Sequence, residues 1–161
     1  MCGIAGLFDP DSPPEELAQR VRTMTDLLIH RGPDDVGIVI QGAAALGMRR
    51  LSIIDIAGGH QPIGNEDGAL QVVQNGEIYN YLELQQLLRS RGHQLVTSSD
   101  TEVLVHLYEE FGPDFPAKLN GMFAFAIWDG RRREVLLGRD RFGDSVRTGD
   151  RDAHSGLYGG A

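Results

Sequence analysis

With 161 residues, 41% of them hydrophobic and 24% charged, the chain is sized for one domain with a substantial core. A net charge of −8, with Arg131-Arg132-Arg133 the only basic run, argues against a nucleic-acid partner. A single cysteine excludes an internal disulfide and a Cys-rich zinc site and suits a reducing cytoplasm. No apolar stretch is long enough for a membrane and no secretory leader is visible, so a cytoplasmic protein without a membrane partner is expected.

Gly3 to Phe8 is apolar with small residues and reads as a buried strand. Asp9-Pro10-Asp11 turns the chain, and Ser12-Pro13-Pro14-Glu15 resembles a capping box with proline in the first turn. A helix is expected to about Ile29, with Leu17, Val21, Met24, Leu27 and Leu28 on one face. Pro33 prevents its continuation, because the residue before a proline is pushed out of the helical region. Val36 to Ile40 and Ala43 to Met48 read as paired strands, and Ser52 to Ile56 as a short extended piece. The Gly, Asn and Asp content of residues 55 to 68 suggests a long surface loop.

Ala69 to Gln74 reads as a strand ending at Asn75-Gly76, a dipeptide that favours a hairpin turn. A helix is expected from Tyr79 or Asn80 to Arg91, stopped by Gly92, then a short strand from Gln94 to Thr97. Asp100 can cap a helix carrying Val103, Leu104, Leu107 and Tyr108, which Gly112-Pro113 ends. A short helical turn near Phe115 to Leu119 follows. Met122 to Trp128 reads as a central strand, turned by Asp129-Gly130 into a partner at Glu134 to Arg139. Strands interleaved with amphipathic helices suggest an α+β domain, sheets with helices packed outside them. Residues 144 to 161 are small and polar and read as a poorly ordered tail.

Cys2 lies one residue behind Met1. Removal of Met1 would put a thiol and a free α-amine on one residue. With ordinary pKa values of roughly 8.5 for the thiol and 7.7–8.0 for the amine, the amine can take the thiol proton near neutral pH. That is an activated nucleophile with its own base. The alternative is a small buried hydrophobe, since free cysteine is often buried. A thiolate attacking an amide needs oxyanion donors, which a strand-ending Asn75-Gly76 can offer. A zwitterionic substrate needs a carboxylate clamp, for which Arg50 is suited, and acceptors for an ammonium, for which Glu77 and Asp100 are suited. Taken alone, Arg50 reads better as a surface charge, Asp100 as a helix cap and Glu77 as a solvated side chain.

Longer strings give these residues a context. Met1-Cys2-Gly3-Ile4-Ala5-Gly6, His30-Arg31-Gly32-Pro33-Asp34, Arg50-Leu51-Ser52-Ile53-Ile54-Asp55, Gln61-Pro62, Asn75-Gly76-Glu77-Ile78-Tyr79-Asn80, Ser99-Asp100-Thr101-Glu102, Gly121-Met122-Phe123-Ala124-Phe125-Ala126 and Gly138-Arg139-Asp140-Arg141-Phe142-Gly143 occur in that order. Residues 1 to 143 so resemble the class II glutamine amidotransferase domain of glutamine-hydrolysing asparagine synthetases. The resemblance implies a four-layer αββα sandwich of the N-terminal-nucleophile hydrolase type. It implies Cys2 as nucleophile, and Asn75 and Gly76 as the oxyanion hole. Arg50, Leu51, Ser52, Ile53, Ile54, Asn75, Gly76, Glu77 and Asp100 would bind L-glutamine, and Arg31 would stand where ammonia leaves. No cofactor and no metal ligand is implied for this half-reaction. ATP and magnesium belong to a synthetase domain whose Ser-Gly-Gly-x-Asp-Ser loop is not found in these residues. The chain is therefore expected to be truncated before that domain and to be at best a leaky glutaminase, with a synthetase chain or a homo-oligomer as its candidate partner. A non-catalytic docking subunit, or an amidotransferase half for another acceptor, are the competing expectations.

Overall fold

The computed structural model describes residues 2–51 and 58–141. The strands form two antiparallel sheets. The first sheet has three strands: β1 (Gly3–Phe8), β2 (Asp35–Gln41) and β3 (Ala44–Arg50), with β3 in the middle. The second has four strands in the order β4 (Ile63–Gly64), β5 (Leu70–Ile78), β6 (Gly121–Asp129) and β7 (Glu134–Arg139).

Alternation along the strands sorts the side chains into three apolar layers. Ala44, Leu46 and Met48 of β3 meet Val73 of β5 and Ala126 and Trp128 of β6, with Ile4 and Cys2 packed against them. This layer glues the two sheets face to face. On the outer side of the first sheet, Ala45 of β3 packs under Leu17 and Val21 of α1 (Pro14–Asp26). On the outer side of the second, Val72, Ile78, Phe123, Phe125 and Ile127 pack under two helices. These are α2 (Tyr81–Ser90) and α3 (Glu102–Phe111), continued by a 3-10 segment, Gly112–Lys118. Helix, sheet, sheet, helix is the expected four-layer αββα sandwich.

Most expected elements are found, and the departures have physical causes. Ser12 does not cap α1. Its hydroxyl instead donates to Asp9 Oδ2 at 2.9 Å, closing the preceding turn, and α1 has no side-chain cap. The helix stops at Asp26, not Ile29. Its buried stripe is Leu17, Val21 and Thr25, while Met24 and Leu27 are exposed. Thr25 is buried by a 2.6 Å bond to the Val21 carbonyl, which satisfies its hydroxyl inside the helix.

Residues 58 to 68 are not simply a surface loop. Gln61, Ile63 and Asn65 are buried, and β4 pairs with β5. Gln61 Oε1 accepts from the Gln74 amide at 2.7 Å, and its Nε2 donates to Thr101 Oγ1 at 3.0 Å. The chain crosses β2 at Gly37, where an added Cβ would lie 1.6 Å from the Gln61 carbonyl oxygen. Only glycine permits that crossing.

Asn75-Gly76 does not turn the chain. β5 runs straight through to Ile78, with Asn75 opposite Ala124 and Gly76 opposite Phe123 on β6. Gly76 has φ 128°, and its missing side chain makes room for the Met122 carbonyl. Residues 94 to 97 pair with no strand. Their amides are taken by carboxylates instead: Glu102 accepts from the N–H groups of Val96 at 2.8 Å and Thr97 at 2.7 Å. Nor is Asp100 the cap of α3, a position held by Thr101. The Arg131 and Arg132 amides both donate to Asp129 Oδ1, which makes the basic run the expected turn. The expected piece at Ser52 to Ile56 and the tail from Asp144 lie outside the described residues. Among the described residues, no helix is long and apolar enough to cross a membrane.

Candidate active site

Cys2 precedes β1 on the edge of the first sheet. Gly3 pairs with Arg49 on β3, so the next positions outward on the two chains are Cys2 and Arg50. Cys2 shares the parity of Ile4, and Arg50 that of Leu46 and Met48, all of which face the second sheet. Asn75 shares the parity of Val73, which faces back toward the first sheet. Thiol, guanidinium and amide therefore line one end of the space between the sheets.

The thiol is held by one backbone unit. The Leu51 N–H points at Cys2 Sγ at 3.4 Å, and Sγ lies 3.7 Å from the Leu51 carbonyl oxygen. Arg31 Nε donates to the Cys2 carbonyl at 3.0 Å. Arg31 thus fixes the backbone of Cys2 itself, a contact the sequence strings did not suggest. The segment from His30 reaches Cys2 through a turn in which the Arg31 amide bonds the Leu28 carbonyl at 2.9 Å.

Opposite, Asn75 is buried, and among the described residues its side chain has no hydrogen-bond partner. Its Oδ1 is fully enclosed. A buried amide left without partners costs about 1–3 kcal/mol, so such a group calls for an explanation. Gly76 follows it with a backbone conformation few other residues adopt.

Asp100 is buried beside the end of β5. Its Oδ2 accepts from the Ile78 N–H at 2.9 Å and from Gln74 Nε2 at 3.3 Å. Burial pushes its carboxyl above the ordinary value, those two donors oppose the shift, and the Glu77 carboxylate adds to it. Glu77 and Asp100 are thus close enough to feel one another. Arg50 is buried, and its carbonyl accepts from the Asp34 amide at 3.1 Å. The structure brings Cys2, Arg31, Arg50 and Leu51 together on one sheet, and Asn75, Gly76, Glu77 and Asp100 on the other. Ser52, Ile53 and Ile54 lie outside the described residues. A shallow cleft of about 500 Å³ lined by Pro10, Gln41, Gly42 and Trp128 sits at the opposite end of the strands and is unrelated to this cluster.

A sandwich with a cysteine at its leading edge, facing an asparagine on the second sheet, defines an N-terminal-nucleophile architecture of the amidotransferase type. The chain belongs to the glutamine amidotransferase domain family, whose model matches residues 1–146. It is 46% identical over 145 residues to an asparagine synthetase [glutamine-hydrolyzing] of Bacillus subtilis, covering 89% of this chain and 19% of that protein. It is 40% identical over 158 residues to asparagine synthetase B of Escherichia coli, covering 98% of this chain and 28% of that one. The chain thus spans less than a third of the length of these relatives. Among solved structures, the glutamine phosphoribosylpyrophosphate amidotransferase of B. subtilis superposes with a TM-score of 0.65 at 22% identity, over 87% of this chain and 37% of that one. The fold is common to both groups, and the sequence kinship is to the asparagine synthetases.

Proposed function

We infer that residues 1 to 143 form a glutaminase domain that releases ammonia from the side-chain amide of L-glutamine, with Cys2 as nucleophile once Met1 is removed. The carrying observation is the buried Asn75 amide, without a partner among the described residues, facing the space that the Cys2 thiol also faces. Its Nδ2 is a donor that a tetrahedral oxyanion in that space can engage.

In this reading Arg50 binds the substrate carboxylate bidentately, while Glu77 and Asp100 accept from its ammonium. Asp100 Oδ2 is taken by β5, which leaves Oδ1 for that contact. The Cys2 sulfur, oriented by the Leu51 peptide and by Arg31 on its carbonyl, attacks the amide carbon. Asn75 and the Gly76 N–H hold the oxyanion. The S–C bond forms as the carbonyl π pair moves onto oxygen and the α-amine takes the thiol proton; collapse of the tetrahedral intermediate then breaks the C–N bond, with that proton passing to the departing ammonia. Water then cleaves the γ-glutamyl thioester to glutamate. Neither step calls for a metal or an organic cofactor. Arg31 also stands where ammonia would leave.

The kinship to asparagine synthetases supports aspartate, activated by ATP and magnesium on a separate domain or chain, as the eventual acceptor of that ammonia. The test is a paired measurement. Intact mass should show loss of Met1, and hydroxylamine should trap γ-glutamyl hydroxamate from glutamine. Cys2→Ala should lose ammonia release by at least about 10³-fold while keeping its fold. Retained Met1 in protein that still releases ammonia, or equal rates in Cys2→Ala, would overturn the assignment.

A further inference from the structure

On the outer side of the four-stranded sheet, away from Cys2, four side chains from three segments converge. His106 and Glu109 lie on α3, His93 on the connection after α2, and Glu66 on the connection between β4 and β5. One potential ligand atom from each lies within 4.8 Å of all the others. His93 Nδ1 and His106 Nδ1 face each other at 3.1 Å. Glu66 approaches them at 3.6 Å and 3.5 Å, and Glu109 Oε2 at 3.9 Å and 3.7 Å. Four ligands about 2.0–2.1 Å from a tetrahedral zinc ion stand roughly 3.3 Å apart, close to this set.

The tautomers make the case chemical. His93 Nε2 lies 3.1 Å from Glu110 Oε1, and a carboxylate can only accept, so that nitrogen carries the proton. His106 Nε2, on a side chain 1% exposed, has no hydrogen-bond partner among the described residues and lies 3.8 Å from Glu102 Oε1. With its proton on Nε2, His106 would turn its Nδ1 lone pair toward that of His93, and a cation between the two nitrogens would relieve the repulsion. A carboxylate on the second nitrogen is also the usual support of a metal-bound imidazole. The carboxylates are braced in turn. Glu109 Oε1 accepts from Asn65 Nδ2 at 2.8 Å and from Arg131 at 3.2 Å, which leaves Oε2 for the centre. Glu66 Oε1 accepts from the Gln94 amide at 3.1 Å.

We propose that Glu66, His93, His106 and Glu109 form a structural zinc site that staples α3 to the two connections packed against it. Two neutral imidazoles and two carboxylates match a dication in charge, and the nitrogen–oxygen donor set suits zinc. The closed set of four protein ligands gives the ion a structural role. The alternative is a hydrogen bond from one Nδ1 to the other with no ion between them.

The experiment is a Zn²⁺ titration of metal-stripped protein in the Cys2→Ala background, followed by calorimetry and thermal melting. This background removes the only thiol and keeps the outcome separate from the glutaminase assignment. Expected are one zinc per chain, a Tm rise of about 5 °C or more in excess zinc, and an absorption-edge spectrum showing only nitrogen and oxygen neighbours. His93→Ala should weaken binding at least about 100-fold. Glu66→Gln, on an exposed connection where folding is not at risk, should weaken it about 10-fold or more. No saturable binding by the Cys2→Ala protein would overturn the site in favour of the plain hydrogen bond between the two Nδ1 atoms. Equal affinity in the His93→Ala and Glu66→Gln proteins would place any bound zinc elsewhere and overturn it as well.

Discussion

The two sheets are built to different standards. The four-stranded sheet is covered by two helices and a 3-10 segment over a layer that includes Phe115, Phe123, Phe125, Leu104 and Leu107, all buried. The three-stranded sheet is covered by one helix through little more than Leu17, Val21 and Ala45, and it leaves Phe8, Met24, Leu27, Ile29 and Val36 exposed. Cys2 and Arg50 sit on the thinly covered sheet. Asn75, Gly76 and Asp100 sit on or against the well-packed one. In the proposed mechanism, substrate grip and oxyanion stabilisation both depend on the inter-sheet layer around Met48, Val73 and Ala126, which fixes how one sheet rides on the other.

The same substitution in each sheet sharpens the contrast, and it carries the largest structural effect. In Gly76→Ala the new Cβ would lie 2.0 Å from the Met122 carbonyl oxygen and 2.7 Å from Phe123 Cα, at φ 128°. Backbone cannot step aside inside a paired ladder. A loss of about 3 kcal/mol or more in urea unfolding is expected, with ammonia release abolished. In Gly6→Ala the nearest atom is the Leu46 side-chain Cδ2 at 2.9 Å, which a rotamer change can relieve. That variant should lose no more than about 1 kcal/mol. Comparable losses in both would mean that the thin sheet is as rigid as the thick one.

Asn75→Ala separates chemistry from packing on the strong sheet. The side chain has no hydrogen bond to lose among the described residues, and its enclosed Oδ1 is unsatisfied, so stability should hold or rise slightly. The loss of one oxyanion donor should cost about 10²–10³-fold in kcat with KM little changed. A large drop in stability with normal kcat would instead make Asn75 structural.

The strands and helices were legible because their patterns are strong. An apolar run such as Met122 to Trp128 suits only the centre of a sheet, and β6 is there. Where reading failed, tertiary partners outbid local preference. Asn75-Gly76 favours a turn, but the ladder to β6 extends past it. Asp100 is a good cap by composition, but its carboxylate serves the Ile78 amide across the layer. The Leu51 peptide behind the sulfur and the Arg31 bond to Cys2 depend on three segments meeting, which no single stretch reveals. The same holds for Glu66, His93, His106 and Glu109. Only the last two share a helix, at a spacing of three, and the sequence suggested no metal ligand.

The mildest change, Asp100→Asn, tests the seam between α3 and β5. The side chain keeps its shape, and its Oδ1 can still accept from the Ile78 amide. Burial, with Glu77 adding to it, holds the Asp100 carboxyl above 3.8 in the folded chain. For an acid whose folded value is raised, the native state binds more protons than the unfolded state across that interval. Its stabilising contribution is complete below 3.8 and is lost as pH climbs through the raised value. The asparagine does not titrate. The variant should therefore gain on the wild type as pH rises from 3.8, with the difference levelling off once the folded carboxyl has ionised. Urea unfolding across that range measures it, and parallel curves would show that Asp100 is no more strained than a surface carboxylate. Above that range the charge should matter to glutamine instead. KM should rise about 10-fold from the loss of a charge-assisted bond to the ammonium, while kcat stays within a few-fold. A KM effect without the pH effect would place the cost of burying Asp100 on the four-stranded sheet's own packing rather than on the carboxylate.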